Sequence, residues 1–199
     1  MDEGRGEAGI DLQPITRWLR SAHEGDKASM NRLYEAVFPV LRRMAASRPG
    51  VRPDATLSPT VVVNELFLKI TDSTAMEAND RHHFFATCAR AMRFIVADYA
   101  REALSQKRGG EFERTPLTTA LAAHPDRAQE LLDIHAALDE LGEADDRLRE
   151  VVELKFFGGL THEEIGDLMG LSERTIKRDW TRARALLVAR SRSKARAGD

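Results

Sequence analysis

The 199-residue sequence contains one cysteine, few aromatic residues and no long apolar segment. The single cysteine, Cys88, excludes a disulfide framework and a zinc site built on several thiolates, and it is typical of a protein from a reducing cytoplasm. The start of the chain has neither the basic n-region nor the apolar core of a signal peptide, and no apolar run approaches the ~20 residues of a membrane-spanning helix. We therefore expect a cytoplasmic protein that does not enter the membrane.

Motifs of enzymes and metal centres are missing as well. The sequence has no P-loop and no dinucleotide-binding glycine motif. The pair His162-Glu163 resembles the start of a zinc-protease motif, but the position that would need the second histidine is occupied by Gly166. The other histidines are scattered. We expect no metal ion, no cofactor and no enzymatic activity.

The charges are distributed unevenly along the chain. Apolar residues make up 42% and charged residues 31%, which indicates a globular protein, and the formal net charge is only −2. Residues 173–199, however, carry nine basic and three acidic side chains. A cationic segment of this kind is a local footprint for phosphate binding, although a solvated basic tail would have the same composition.

Helical spacing of apolar residues dominates the sequence, and strand signals are almost absent. The sequence predicts an all-α protein of two small helical domains joined by a flexible linker. The predicted boundaries are a disordered N-terminus at 1–9, a first domain at 10–103, the linker at 104–129, a second domain at 130–190 and a basic tail at 191–199. The linker interval contains two adjacent glycines and two prolines, which interrupt helical periodicity.

One long helix is predicted from Arg81 to about Ala103, and it has two distinct faces. The apolar stripe consists of Phe85, Cys88, Met92, Ile95 and Tyr99. The basic stripe consists of Arg90, Arg93 and Arg101. Helical register favours core positions for Phe85 and Tyr99 over stacking on exposed bases.

A helix-turn-helix is predicted near the C-terminus. Thr161 and Glu164 form the pattern of a capping box at the start of the first helix, and Gly170 supplies the left-handed residue of the turn. Ser172 then caps a second helix. Its inward side chains are predicted to be Ile176, Trp180, Ala183 and Leu187.

The second of these helices has a basic outward face. A recognition helix places its first side chains against base edges and later ones against phosphates. The residues predicted to contact DNA are Arg174, Thr175, Lys177, Arg178, Arg182 and Arg184.

On these motifs the sequence resembles the sigma-70 superfamily of bacterial RNA polymerase sigma factors, of the extracytoplasmic-function (ECF) type. Residues 138–187, which include LKFFGGLTHEEIGDLMGLSERTIKRDWTRARALL, resemble region 4, and the N-terminal helices are similar to region 2. The resemblance implies a non-enzymatic protein that binds core RNA polymerase, through the β′ clamp helices and the β flap, and directs it to promoter DNA. Region 4 of the family reads the minus-35 element.

The resemblance also implies roles for residues of the first domain. Residues 57–70, LSPTVVVNELFLKI, lie where the family's polymerase-docking helix lies. The docking residues implied are Asn64, Glu65, Phe67 and Leu68. The segment RHHFFATCARAMRFIVADYAR resembles the helix that melts and holds the minus-ten element, so Arg90, Arg93 and Arg101 would contact that DNA.

Two departures from the family pattern have consequences. Members commonly have Arg-Asn near the middle of the minus-ten helix, where this chain has Arg93-Phe94, so a base contact by that asparagine is absent. The docking helix commonly begins with acidic residues, whereas this chain has Thr56, Ser58 and Thr60 before Glu65. This suggests the hypothesis that a Ser/Thr kinase restores the charge by phosphorylating these hydroxyls, next to a helix N-terminus that favours anions. Control by an anti-sigma protein or by expression level is an alternative, and so is a purely capping role for the three residues.

Two other functions are compatible with the sequence. A stand-alone helix-turn-helix regulator would dimerise and bind a palindromic operator without polymerase. A protein-interaction adaptor would use its basic C-terminus to bind acidic partners and would not bind DNA.

Overall fold

The structure is a computed structural model that describes residues 15–23, 26–46, 66, 80–106 and 121–197. Within these ranges every regular element is helical, which confirms the predicted all-α class. In the described ranges the α-helices are, in chain order, α1 (Ile15–His23), α2 (Lys27–Ala46), α3 (Arg81–Gln106), α4 (Pro125–Ala144), α5 (Asp146–Val152), α6 (His162–Met169) and α7 (Glu173–Ala197). A π-helical segment, Glu153–Phe157, continues directly from α5.

Helices α1 and α2 pack together near the start of the described chain. Asp26 caps α2, since its carboxylate accepts hydrogen bonds from the amides of Ala28 at 3.0 Å and Ser29 at 3.2 Å. The Ser29 hydroxyl donates a further bond of 2.6 Å, and it is the main reason why the pKa of Asp26 is lowered. The apolar residues Ile15, Leu19 and Leu33 are buried on the facing sides of the two helices.

Helix α3 is the central element, because it packs against α1 and α2 on the N-terminal side and against α4, α6 and the π-helical segment on the C-terminal side. It is buried around most of its circumference. The predicted apolar stripe is buried throughout, and the small residues Ala89, Ala97 and Ala100 are buried beside it. We call α1–α3 the N-terminal half and α4–α7, with the π-helical segment, the C-terminal half.

Both flanks of the predicted linker are helical. Helix α3 continues to Gln106, and α4 begins at Pro125 rather than near Glu130. Proline favours this position because its missing amide is not needed in the first helical turn and its φ is already helical. Residues 107–120 lie outside the described ranges.

Candidate nucleic-acid interface

The capping box predicted at Thr161 and Glu164 is present at the start of α6. The Glu164 amide donates to the Thr161 hydroxyl at 3.1 Å, and the Glu164 carboxylate accepts from the Thr161 amide at 2.7 Å. Two amides that a helix N-terminus leaves without partners are thereby satisfied. Ile165 and Leu168 are buried on the inner side of α6.

The turn that follows depends on two glycines. Gly170 has a φ of +67°, the left-handed conformation predicted for it. Gly166 was not singled out for this role, yet a Cβ at this position would lie 2.6 Å from the carbonyl oxygen of Leu171. The Gly166 carbonyl also accepts a 2.9 Å hydrogen bond from the Leu171 amide. A glycine within a short amphipathic helix just before a turn was the available sequence signal for such a close approach.

Ser172 caps α7, as predicted, by accepting a 3.2 Å hydrogen bond from the amide of Thr175. The two hydroxyls of Ser172 and Thr175 lie 2.8 Å apart. Thr175, which the sequence predicted as a DNA contact, is half-buried, and both its amide and its hydroxyl are engaged in the cap. Of the predicted inward residues, Ile176 and Ala183 are buried, and Trp180 and Leu187 are half-buried.

All five predicted basic contacts of α7 are exposed: Arg174, Lys177, Arg178, Arg182 and Arg184. Lys177 pairs with Glu173 at 2.7 Å, and Arg182 lies 3.7 Å from Asp145. Exposed pairs of this kind contribute about 0–1 kcal/mol, so a phosphate can replace them at little cost.

The buried Asp179 of α7 makes two ion pairs that the sequence did not reveal. One of its carboxylate oxygens lies 3.1 Å from Arg147 Nη2, and the other lies 3.4 Å from Arg178. The pair with Arg147 links α7 to α5, and the pair with Arg178 holds that side chain beside the outward face. An acidic residue inside a basic helix was the only signal in the sequence.

The predicted minus-ten residues of α3 fall into different environments. Arg90 is exposed, and Arg101 is about half exposed with its Nη1 2.7 Å from Asp98. Phe85 and Tyr99 are buried, which confirms their predicted core positions. Phe94 is 37% exposed and packs edge-on against His135, with 5.1 Å between ring centroids.

Arg93 has no exposed surface, in contrast to the exposed position that a DNA contact requires. Its guanidinium donates from Nη1 to the carbonyl oxygen of His135 at 3.0 Å and from Nη2 to Asp139 at 2.7 Å. Its Nε lies 2.9 Å from Glu153 Oε1. All three partners belong to the C-terminal half, so a DNA contact of Arg93 requires the two halves to separate.

The titratable groups around Arg93 are perturbed by burial. Burial raises the pKa of Glu153, and the charges of Arg93 and Arg149 oppose this effect. Burial also lowers the pKa of His135, and the Arg93 charge adds to that decrease. At the start of α3, a hydrogen bond to Glu150 raises the pKa of His82.

Several predicted residues lie outside the described ranges. These are the docking residues Asn64, Glu65, Phe67 and Leu68 and the candidate phosphorylation residues Thr56, Ser58 and Thr60. Leu66, between them, is helical and fully buried.

In the part of the chain that the structure describes, no helix has the length and apolar character needed to cross a membrane. The same residues contain no group of three or more His, Cys, Asp or Glu side chains that could hold a metal ion.

Comparison with known proteins gives one match. The family model for ECF sigma factors matches residues 12–193, which is most of the chain. No curated protein and no solved structure matches it. The matched region includes the capped helix-turn-helix, its basic outward face and helix α3, and the chain therefore belongs to the ECF sigma factor family.

Proposed function

We propose that this chain directs core RNA polymerase to a defined set of promoters, with α7 reading the minus-35 element and α3 contacting the minus-ten element. ECF sigma factors act in transcription initiation with core RNA polymerase and promoter DNA. The observation that carries the proposal is the basic face of α7, whose five exposed cations follow a capped helix start and a tight turn. That geometry presents the first turns of a helix to the major groove.

The proposal assigns polymerase docking and minus-ten binding to two segments of the first domain. Residues 57–70 dock on the β′ clamp helices through Asn64, Glu65, Phe67 and Leu68. Arg90 and Arg101 meet the phosphates of the melted strand, since both are exposed on α3. The C-terminal half contacts the β flap. The support for these assignments is the family match and, for α3, the exposure of its arginines.

Co-migration with core RNA polymerase tests this function. The purified chain and bacterial core enzyme are mixed at moderate salt and separated by size exclusion, and run-off transcription from selected promoters follows. A complex that initiates at specific sites supports the sigma role. A dimer that binds an operator tightly without polymerase would instead support a stand-alone regulator, and absence of DNA binding in every combination would support an adaptor.

Substitutions on α7 should separate recognition from general affinity. We expect Arg178→Ala, near the start of α7, to weaken binding to the preferred minus-35 sequence by about tenfold and to relax its selectivity. Arg184→Ala, two turns later, should weaken binding to all sequences alike, because it contacts phosphate. Fluorescence anisotropy with matched and scrambled duplexes measures both effects. Selectivity unchanged in both variants would show that the recognition face lies elsewhere.

The salt dependence of the same binding gives an independent check. If the C-terminal half neutralises about five phosphates, log K falls with log salt at a slope of about −4 to −5. Arg184→Ala removes one phosphate contact, so it should reduce the magnitude of that slope by about one. A slope near zero would contradict a phosphate-binding face on α7.

We further propose that phosphorylation of Ser58, Thr60 or Thr56 by a Ser/Thr kinase strengthens polymerase docking. The support is in the sequence, where hydroxyl residues occupy positions that are commonly acidic in the family. The paired phosphomimetic Ser58→Asp and Thr60→Asp should tighten core binding by about tenfold, or about 1.4 kcal/mol. The pair Ser73→Asp and Thr74→Asp adds the same charge just beyond residues 57–70 and serves as the control. Equal affinities for wild type and the phosphomimetic would exclude the switch.

A further inference from the structure

The start of α5 lies against the basic face of α7. Arg147 Nη2 of α5 lies 3.1 Å from one carboxylate oxygen of Asp179, and the other oxygen lies 3.4 Å from Arg178 Nη2. One turn farther along α7, Arg182 Nη1 lies 3.7 Å from Asp145, the residue that caps α5. Three guanidiniums from two helices therefore border one edge of the basic face, and Arg147 is the one that lies outside the helix-turn-helix.

We propose that Arg147 binds a DNA phosphate beside the minus-35 element, and that Asp179 is the residue that positions Arg147 and Arg178. This rests on the proposed function, in which α7 lies in the major groove. The phosphates of the two strands form the edges of that groove, and helices next to a recognition helix face them. A cation held at the side of α7 in its second turn is then at the groove edge, while Arg178 reaches the bases.

The exposure of the charged groups favours a phosphate ligand over a purely internal ion pair. The Asp179 side chain is only 2% exposed, whereas its partners Arg147 and Arg178 are 47% and 70% exposed. The carboxylate thus lies beneath the two guanidiniums, and an approaching strand meets positive charge first. Two guanidiniums around one carboxylate also leave an excess positive charge, which a phosphate can neutralise.

Local helix stability does not explain the position of Arg147. It is the second residue of α5, where the helix dipole disfavours a cation. The ion pair with Asp179 offsets this effect, but a single arginine is sufficient to neutralise one carboxylate. Because Asp179 also has Arg178 beside it, the cluster has a guanidinium to offer to a second anion.

The role of Asp179 is to hold two flexible side chains in place before DNA binds. An arginine loses rotamer freedom when it is fixed on a base or a phosphate, and holding it beforehand reduces that cost. Removing the Asp179 charge should therefore change two affinities in opposite directions. Selectivity falls because Arg178 is no longer held, whereas binding to unrelated duplexes strengthens because no carboxylate competes with the phosphates.

A phosphate scan tests the Arg147 contact directly. The full chain, alone and with core RNA polymerase, is titrated with minus-35 duplexes in which single phosphates are replaced by neutral methylphosphonates, and fluorescence anisotropy measures the affinity. We expect Arg147→Ala to weaken binding to the unmodified duplex by about tenfold and to reduce the magnitude of the salt slope by about one. One methylphosphonate that weakens wild-type binding should have no effect on Arg147→Ala, while every other sensitive phosphate stays sensitive.

Two further variants serve as references for the scan. Arg127→Ala removes an exposed arginine from α4 and should keep the complete wild-type pattern of sensitive phosphates. Arg147→Lys keeps the cation and should restore the wild-type salt slope. A pattern in Arg147→Ala identical to that of wild type would overturn the phosphate contact, even if α7 recognises the minus-35 element as proposed. Absence of DNA binding by the wild-type chain, alone and with core polymerase, would overturn the proposed function as well.

Asp179→Asn tests the positioning role, because the amide keeps the shape of the side chain and removes its charge. We expect the ratio of affinities for matched and scrambled duplexes to fall by about fivefold, while the affinity for the scrambled duplex rises. A parallel fall of both affinities would show that Asp179 acts only on the fold and would overturn its positioning role. If Asp179→Asn loses its helix content by circular dichroism, the phosphate scan of Arg147→Ala decides, because that side chain is at the surface.

Discussion

Phe85→Ala is expected to lower the free energy of unfolding by about 3–5 kcal/mol, because it removes a fully buried ring from α3 and leaves a cavity. The ring packs edge-on against Phe84, with 5.4 Å between centroids, so the substitution also removes an aromatic contact. Urea unfolding followed by circular dichroism measures the loss.

Phe94→Ala is the matched control, since it changes the same residue type on the same helix. Phe94 is 37% exposed, and the interactions to lose are its edge-on contact with His135 and its contact with the Arg93 guanidinium, 4.9 Å from the ring centroid, so the expected cost is about 1–2 kcal/mol, below that of Phe85→Ala. If Phe85→Ala retained wild-type stability but failed to open promoters, the core assignment of Phe85 would be wrong and a base-stacking role would replace it.

Gly166→Val is expected to lower the stability of the C-terminal half by about 3 kcal/mol and to abolish minus-35 binding. A Cβ at this position would meet the backbone oxygen of Leu171 at 2.6 Å, and backbone cannot move aside as a flexible side chain can. Helix α6 would have to move away from the start of α7, which changes the angle at which the basic face is presented.

Gly170→Ala separates this steric effect from backbone strain. No atom lies within 4 Å of a Cβ at Gly170, so the cost arises only from its φ of +67° and should be about 1–2 kcal/mol. DNA binding should survive at low temperature in Gly170→Ala but not in Gly166→Val. Thermal unfolding and anisotropy on the same preparations give both quantities, and equal behaviour of the two variants would contradict the close approach at Gly166.

Local features of the C-terminal half could be predicted from the sequence because they depend on neighbouring residues. The capping box at Thr161 and Glu164, the left-handed turn at Gly170 and the cap at Ser172 each span four residues or fewer, and all are present. The inward stripe of α7 follows from helical periodicity alone. These features could therefore be predicted without knowing which distant parts of the chain are in contact.

The burial of Arg93 could not be predicted in the same way. The sequence pattern of an arginine beside an apolar stripe is the same whether the side chain faces solvent or an acidic partner. The acidic partners here, Asp139 and Glu153, are 46 and 60 residues farther along the chain. The π-helical segment that begins at Glu153 was also invisible, because its wider turn has no distinct residue pattern. The small residues of α3, such as Ala97 and Ala100, were the available signs that the helix is covered on more than one side.

Cys88 has a practical consequence for following the dynamics of the N-terminal half. Its side chain is fully buried on α3, and burial raises the pKa of the thiol, so the reactive thiolate is suppressed in the folded state. A disulfide reagent can then react only during a transient opening of the helix from its core. The rate of thiol exchange therefore measures how often this opening occurs, and no added label is needed.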